Sequence, residues 1–530
     1  MSAQRTVVRS ATGMGAAAAV SRVVGGVRVL VIAAVLGTTY LGNAFQSSNT
    51  VSNLLFELLA AGALSAVLVP SFVGHLDAGD RSGAEHLAGE LLGVTLVVLG
   101  AVSVLGVAAA PWIADLLTTA VEDPATAAAQ EDLTAFLLVF FIPQVVLYGV
   151  GAIATAVLHA RRSFVLPAVA PIGNTVVLVG FLVAFRVVAG PDPGLALDTS
   201  EKVLLGLGGT LGVLAFVAVP TIGVLAGGFR LRPRFTRNHD ELGGVLRLSG
   251  WATVQHASAA VLLGAAIIAG SSVEGGVVAY QVGWFFFLAP YGIIAQPIHT
   301  TILPEMTNEY RSGRVDAFAR SLRWGLDSMA VLLVPLGALC VALAVPAMEV
   351  LAFGQASGTQ SVDLLAAALA ALGVGLLPYG AFFLLARGWY VMGESRMPAM
   401  AGTGGALVGV AIMFLIGANT SGAATVVVLG AGHSAAFLFG TVVLIVAMRR
   451  RTGIWVLPGV LGRTVAVSTL VGLLGWGIHQ LWFPSGRVAT AVALVLLVAL
   501  LGALYLGAIR LLGVSVADRL APGTPEGETR

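Results

Sequence analysis

The chain has 530 residues, of which 58% are hydrophobic and 10% are charged, and its formal net charge is +2. Soluble domains carry about 25% charged residues, so this composition excludes a soluble enzyme, a secreted domain and a disordered protein. The small net charge excludes a nucleic-acid binder that works through bulk charge. The single cysteine, Cys340, excludes an intramolecular disulfide and a multi-cysteine metal site.

Long apolar runs follow one another along the whole chain. A helix needs about 20 mostly apolar residues to cross a bilayer, and fourteen such runs are present. Runs of this length exclude a membrane β-barrel, whose strands are short and alternating. The sequence therefore predicts an all-α integral membrane protein with about 14 transmembrane helices. The runs are 14–41, 50–76, 86–117, 132–159, 164–189, 203–229, 247–271, 276–303, 321–350, 362–388, 397–418, 422–448, 459–482 and 488–513.

The basic residues are divided unequally between the two sides of the membrane. If the N-terminus is inside, the opposite side holds only Arg186, Lys202 and Arg487. Cytoplasmic loops are enriched in Lys and Arg, so the asymmetry predicts that both termini are cytoplasmic. The arginines that then face the cytoplasm are Arg81, Arg161, Arg162, Arg230, Arg232, Arg234, Arg237, Arg311, Arg314, Arg320, Arg387, Arg396, Arg449, Arg450 and Arg451.

Four landmarks recur in order and indicate an internal duplication. Each copy has six spans, an even number, so the two copies have the same orientation in the membrane. Parallel repeats of this kind are an architecture of transporters. This predicts an N-terminal six-helix lobe at 1–229, a basic cytoplasmic linker at 230–246, a C-terminal six-helix lobe at 247–448, two extra helices at 449–513 and a disordered cytoplasmic tail at 514–530. The matched pairs are Leu36-Gly37 with Ala269-Gly270, Val69-Pro70 with Leu303-Pro304, Ile142-Pro143 with Leu377-Pro378, and Leu166-Pro167 with Met397-Pro398.

Charged residues within the spans are the first candidates for function, because a charge at mid-membrane costs at least about 2.5–3.5 kcal/mol. Arg22 and Arg28 lie in the first span, and two guanidinium groups are suited to bind a pyrophosphate. The alternative is that each arginine satisfies helix carbonyls or a carboxylate. Asn53 and Glu57 share one face of the second span, since they are four residues apart. Glu57 is expected to pair with Arg28, to be a protonated acid facing protein, or to lie in water near the interface.

Other polar residues in the spans are expected to make ordinary interhelical hydrogen bonds. The basic stretch from Arg230 to Arg237 fits contact with anionic lipid head groups, or simply the charge rule for cytoplasmic loops. Motifs for an ATP site, a metal site or catalysis are absent, so we expect no enzyme activity, catalytic residue, metal or cofactor, and transport driven by an ion gradient or membrane potential. The polar residues in question are Gln144, Asn174, Gln255, His256, Gln281, Gln296 and His299.

Several stretches resemble the MurJ/MviN family over essentially the whole chain. The first-helix motif is SRVVGGVR at 21–28, and a fifth-helix motif is FVLPAVAPIGN at 164–174. The second span reads SNLL at 52–55 and AGALS at 61–65, and RGWY at 387–390 leads to Glu394 and Pro398. The resemblance implies the fold of the multidrug/oligosaccharidyl-lipid/polysaccharide exporter superfamily. It also implies flipping of lipid II, the undecaprenyl-pyrophosphate-linked peptidoglycan precursor, to the outer leaflet of a bacterial cell membrane.

The same resemblance assigns the substrate-binding residues. Arg22, Arg28 and Asn53 match family positions, and Asn43 stands where many members have Asp. Phe56-Glu57 occupies the place of a basic pair, Ala61 replaces a Glu, and the segment around Gln281 lacks a family Arg. The expected partners are the lipid-linked precursor, membrane lipids and cell-wall synthesis proteins, and no nucleic acid. Alternatives are export of another lipid-linked saccharide or a drug, or a non-transporting cell-wall scaffold. The substrate-binding set is thus Arg22, Arg28, Asn43, Asn53, Glu57 and Gln281.

Overall fold

The computed structural model describes residues 2–58, 62–235, 240–482 and 484–516. In these ranges the regular elements are helices, and none is a β-strand. Ala61, part of the linker and most of the C-terminal tail lie outside the described residues. The α-helices are α1 Ser2–Leu36, α2 Tyr40–Phe56, α3 Gly62–Asp77, α4 Arg81–Ala108, α5 Ala110–Thr118, α6 Pro124–Phe141, α7 Gln144–Ala160, α8 Val165–Ala189, α9 Thr199–Ala226, α10 Asp240–Gly270, α11 Gly276–Pro290, α12 Gln296–Arg311, α13 Val315–Ala342, α14 Ala344–Leu351, α15 Thr359–Gly373, α16 Leu376–Val391, α17 Arg396–Leu415, α18 Ala423–Thr452, α19 Leu461–Leu481 and α20 Arg487–Leu511.

The helices confirm the predicted class of membrane protein, and their number is close to the prediction. Among the described residues, 12 helical segments are long and apolar enough to cross a bilayer, or 13 if the bent pair α15 and α16 is one span. The predicted count of fourteen differs at the second run, 50–76. This run comprises the last part of α2 and nearly all of α3, which have 17 and 16 residues and lie on either side of residues 59–61.

The helix breaks recur with the same spacing as the sequence landmarks. The third predicted span breaks between α4 and α5, and the ninth breaks 234 residues further on, between α13 and α14. The fourth span breaks at Ile142-Pro143, and the tenth breaks at Val374-Gly375, next to the matching Pro378. Proline removes a backbone donor and disrupts a helix, so a duplicated sequence carries its helix breaks with it. The internal repeat is therefore visible in the helices as well.

The chain separates into two compact units. The first unit comprises Met1–Ala260, Ser271–Val278 and Gly354–Ala356, and the second comprises Val261–Gly270, Ala279–Phe353 and Ser357–Arg530. Two short pieces of the second half of the sequence thus belong to the first unit. The lobe boundaries at 1–229 and 247–448 stay predictions.

Close helix packing in the first unit depends on small residues in α9. A Cβ at Gly206 would lie 2.6 Å from the ring of Phe140, and one at Gly209 would lie 2.4 Å from the ring of Phe141. Phe141 also packs edge-on against Phe45 of α2, with ring centroids 5.5 Å apart. Small residues let helix backbones approach each other in lipid. Aromatic side chains from α6 therefore fill the space that the glycines leave.

The second unit is built around a cluster of aromatic rings. Tyr379 of α16 lies 4.7 Å from Tyr291, 4.6 Å from Phe437 and 4.9 Å from Phe383 between ring centroids. Rings at these distances attract one another beyond the effect of their burial. This cluster gives the unit a rigid centre, against which α11, α16 and α18 are held.

The last two helices, α19 and α20, pack on α13 of the second unit. The hydroxyl of Tyr505 donates to the carbonyl of Val331 at 2.7 Å, and Asp327 accepts from the Val460 amide at 3.3 Å. Both contacts join buried groups, and a buried polar group without a partner would be costly. The two extra helices are thus fixed to the second unit by polar as well as apolar contacts.

Candidate substrate site

Arg28 on α1 is a half-buried cation in the first unit. Its Nε atom is buried and has no hydrogen-bond partner. Arg28 interacts electrostatically with Tyr148 of α7, whose ring lies 5.6 Å from Phe56 and 6.4 Å from Phe216. Leaving a buried donor unsatisfied costs about 1–3 kcal/mol, and more for a charged group. The guanidinium of Arg28 therefore has a buried donor that is unused in this structure.

Arg22 does not share this buried environment. It lies on the same helix, six residues before Arg28, and its side chain is exposed. Six residues of α-helix rotate one side chain about 120° away from the other, when counted the shorter way round, and α1 is a continuous helix between them. The structure thus buries one arginine of the predicted pair and leaves the other at the surface.

Asn53 and Glu57 lie at the C-terminal end of α2, and both are exposed. Among the described residues, the Asn53 amide donates to the carbonyl of Asn49 on its own helix, at 3.4 Å. The ion pairs of the described chain join His75 to Asp80, Arg81 to Glu85 and His86 to Glu90. The expected pairing of Glu57 with Arg28 is therefore not present in this structure.

Glu57 stands at a helix distortion that occurs twice among the described residues. Glu57 and Leu58 have π-helical geometry after α2, and the turn Tyr291–Ala295 between α11 and α12 is π-helical as well. The two turns begin 234 residues apart, the spacing of the repeat. Turns of this type are frequent at functional sites. The position of Glu57 is thus distinguished by its backbone as well as its charge.

Asn43 has a different position from the one expected for a substrate ligand. Its side chain is fully buried, its Nδ2 donates to the carbonyl of Val273 at 2.8 Å, and its Oδ1 accepts from the amides of Val277 at 3.1 Å and Val278 at 3.4 Å. These partners belong to the short piece 271–278 of the first unit. In this structure Asn43 therefore ties backbone segments together and does not face a site.

Gln281 lies on α11 in the second unit, and it is half-buried. The preceding residue, Tyr280, is fully buried, and its hydroxyl lies 2.8 Å from Nδ1 of His433. The ring of Trp284 packs against the same histidine at an interplanar angle of 60°, with ring centroids 4.4 Å apart. Aromatic rings thus occupy the part of this span where the resemblance leads one to look for a cation.

Arg387 is the functional candidate that the sequence reasoning missed. Its Nη1 atom is buried without a hydrogen-bond partner, and it interacts electrostatically with His299 and Tyr291. His299 is fully buried and its Nε2 lies 3.1 Å from the carbonyl of Gly380. The sequence placed Arg387 in a cytoplasmic connection, but α16 continues to Val391. The sequence contains one signal for this position: residues 381–386 form an apolar run immediately before the arginine, and the helix continues past Arg387.

These residues provide hydrogen-bond donors and positive charge, but no reactive arrangement. Among the described residues, no group of three or more His, Cys, Asp or Glu side chains is placed to hold a metal ion. One partly buried arginine in each unit, Arg28 and Arg387, has an unused donor. Such groups are suited to bind phosphate or carboxylate.

Comparison with solved structures defines the class of fold. The chain resembles "Lipid II flippase MurJ, inward closed conformation" with a TM-score of 0.73 at 16% identity, covering 94% of this chain and 99% of that one. An inward-facing multidrug resistance MATE family transporter of the MOP superfamily gives a TM-score of 0.65 at 13% identity, covering 82% and 94%. The fold of this chain is thus similar to the folds of these two solved structures.

Sequence comparison gives the family. A family model described as lipid II flippase MurJ matches residues 32–499. The chain is 27% identical to the probable lipid II flippase MurJ of Rhizobium tropici over 398 residues, covering 74% of this chain and 72% of the relative. It is 24% identical to that of Vibrio cholerae over 539 residues, covering 97% and 98%. The chain therefore belongs to the lipid II flippase MurJ family, as the motifs in its sequence predicted, and is a multi-pass protein of the bacterial inner membrane.

Proposed function

We propose that this protein moves lipid II from the cytoplasmic to the outer leaflet of the membrane. Membership of a family of lipid II flippases supports the substrate. The observation that carries the mechanism is the buried, unpartnered Nε of Arg28 on α1, which lies just before the range matched by the family model. The proposal makes this guanidinium the ligand of the pyrophosphate.

The chemistry of the guanidinium supports this role. Arginine remains charged under all physiological conditions and presents a planar set of donors that matches two phosphate oxygens. Tyr148 lies close enough to interact with Arg28, and its hydroxyl is able to donate to a third oxygen. Exposed Arg22, near the start of the same span, supplies a second cation. Lysine at position 28 would offer only a point charge.

The proposed transport cycle is alternating access driven by an ion gradient or the membrane potential. A site that releases its ligand must bind it differently in two states. Glu57 supplies that difference in the proposal, because a carboxylate that approaches Arg28 in one state competes with the substrate phosphate. Glu57 also begins a π-helical turn, where the helix is already distorted. The proposal also places both termini in the cytoplasm. In this orientation the substrate head group moves from the cytoplasmic side to the outer side of the membrane.

The test uses a bacterium depleted of its own lipid II flippase. The full-length protein is expressed as the only copy, and lipid II in the outer leaflet is measured with a probe that does not cross the membrane. The expected result is restored growth and restored outer-leaflet lipid II. Membrane insertion without either effect would contradict the proposal.

Two further outcomes distinguish the alternatives. Accumulation of another polyprenyl-linked saccharide in the inner leaflet when the protein is removed from its own host would indicate a different lipid-linked substrate. Defects in cell-wall synthesis with normal lipid II in both leaflets would indicate a scaffold. Arg28→Ala is tested in the same strain, and Arg450→Ala is its control. Arg450 is an exposed arginine at the end of α18, so the two changes remove the same charge.

A further inference from the structure

The first part of the basic linker is docked on α4 in the first unit. The docked segment comprises residues 229–235, and it begins with Phe229, which is 2% exposed within an apolar cluster that includes Leu87. The Arg234 amide donates to the carbonyl of Gly89 at 2.8 Å. The segment therefore lies against the helix and is not a free tether.

Two glycines of α4 permit this close approach. A Cβ at Gly89 would lie 2.4 Å from the carbonyl oxygen of Arg232, and one at Gly93 would lie 2.0 Å from the carbonyl oxygen of Arg234. Real Cβ atoms essentially never come this close to backbone. Any larger residue at either position would push the docked segment away.

His86, one turn before Gly89, closes the contact through its side chain. Its Nδ1 lies 2.7 Å from Nη1 of Arg234, and its Nε2 lies 3.2 Å from Oε1 of Glu90. Arginine has donors and no acceptor, and a carboxylate has only acceptors. Nδ1 must therefore be unprotonated and Nε2 must carry the hydrogen. The two bonds thus require the neutral form of His86.

Protonation of His86 is incompatible with this arrangement. A proton on Nδ1 would place two N–H donors and two positive charges against each other, while the bond to Glu90 would become an ion pair. Protonation of Nδ1 would therefore remove the hydrogen bond from Arg234 to His86. Histidine is the side chain whose charge changes between about pH 5 and 8. The charged groups around the contact are Glu90, Arg234, Arg232, and the neighbouring pairs Arg81 with Glu85 and His75 with Asp80.

We infer that His86, Arg234, Gly89 and Gly93 form a proton-released latch, which holds residues 229–235 on α4 and lets them go when His86 is protonated. Residues 229–235 belong to the segment that joins the two halves of the repeat, so release of the latch frees part of that connecting segment. This inference does not rest on the identity of the transported lipid.

The experiment follows the mobility of the docked segment in the full-length protein in lipid nanodiscs. A nitroxide is attached at Phe235→Cys in a Cys340→Ala background, since Phe235 is 72% exposed and Cys340 is the only native cysteine. Spectra are recorded between about pH 8 and pH 5.5, the range in which histidine titrates. His86→Gln keeps a donor and an acceptor but does not titrate. His75→Gln is the matched control, and Gly89→Ala is the reference for a released segment.

The expected result is a rise of about threefold or more in the mobile fraction on acidification. His86→Gln should remain immobile throughout, His75→Gln should respond as the parent does, and Gly89→Ala should be mobile at every pH. An unchanged pH response in His86→Gln would overturn the inference. So would an immobile parent at every pH, or an immobile Gly89→Ala variant, because the contact would then not be what holds the segment.

Discussion

The side chain of Asn43 donates a hydrogen bond from Nδ2 to the carbonyl oxygen of Val273 at 2.8 Å, across 230 residues of sequence. The same amide accepts from two backbone N–H groups at the start of α11. One neutral side chain thus supplies both a donor and an acceptor to backbone groups of three buried residues. An aspartate at this position would lose the donor and place negative charge against a carbonyl.

Asn43→Ala is therefore expected to destabilise the protein by about 1–3 kcal/mol, the usual cost of leaving buried groups without hydrogen-bond partners. Asn53→Ala is the matched control on the same helix, because the exposed Asn53 amide donates to its own helix, and surface changes usually alter stability by less than about 0.5 kcal/mol. Unfolding of the purified protein in detergent measures both. Equal stability of the two variants would contradict the role assigned to Asn43.

Arg28→Ala should abolish growth when the variant is the only flippase, while its amount in the membrane remains normal. Arg28→Lys should also be impaired, because a point charge does not reproduce the planar donor set of a guanidinium. Complementation together with quantitative immunoblotting of membranes measures these effects. Normal growth supported by Arg28→Ala would show that the residue is structural and that the pyrophosphate has another ligand.

Glu57→Gln should alter transport or its dependence on pH, because the amide retains the size of the side chain but cannot exchange a proton or form an ion pair. Glu57→Arg should be tolerated, since it restores the charge that the family resemblance places here. Flipping is measured in proteoliposomes across a pH series, with Glu349→Gln as a control at an exposed carboxylate on α14. Parental behaviour of Glu57→Gln at every pH would leave Glu57 with no specific role.

Arg387→Gln should reduce transport by about tenfold or more, since a hydrogen bond to a charged group contributes about 1.5–3 kcal/mol. The expectation follows from the buried and unused Nη1 of this residue. Flipping rates in proteoliposomes, with Arg450→Gln as the exposed control, measure the effect. A rate equal to that of the control would mean that Arg387 serves only the packing of the second unit.

The topology is testable without any assay of transport. A cytoplasmic reporter fused after Arg530 should be active in intact cells, and a periplasmic reporter at the same point should be silent, because the arginines lie on the side that contains both termini in the predicted orientation. The opposite pattern would contradict the prediction that the chain has an even number of membrane spans. It would also remove the orientation on which the proposed direction of lipid movement depends.

The sequence alone determined the membrane class, the positions of most spans and the repeat. These follow from local properties: lipid requires about 20 apolar residues per helix, and proline disfavours the interior of a helix because it lacks a backbone donor. A duplicated sequence therefore carries its helix breaks in register, as the paired breaks after Ala108 and Ala342 show. The family was also readable, because its motifs are contiguous.

Only the tertiary structure decided which polar residues are free to bind a ligand. Arg22 and Arg28 look equivalent in sequence, yet one is exposed and the other has a buried, unused donor. Asn43 looked like a substrate ligand, but its amide is turned to a backbone segment 230 residues away. Arg387 looked like a loop residue, but its guanidinium is partly buried beside His299. Burial and hydrogen-bond satisfaction depend on neighbours brought together from distant parts of the chain, and local sequence patterns do not contain that information.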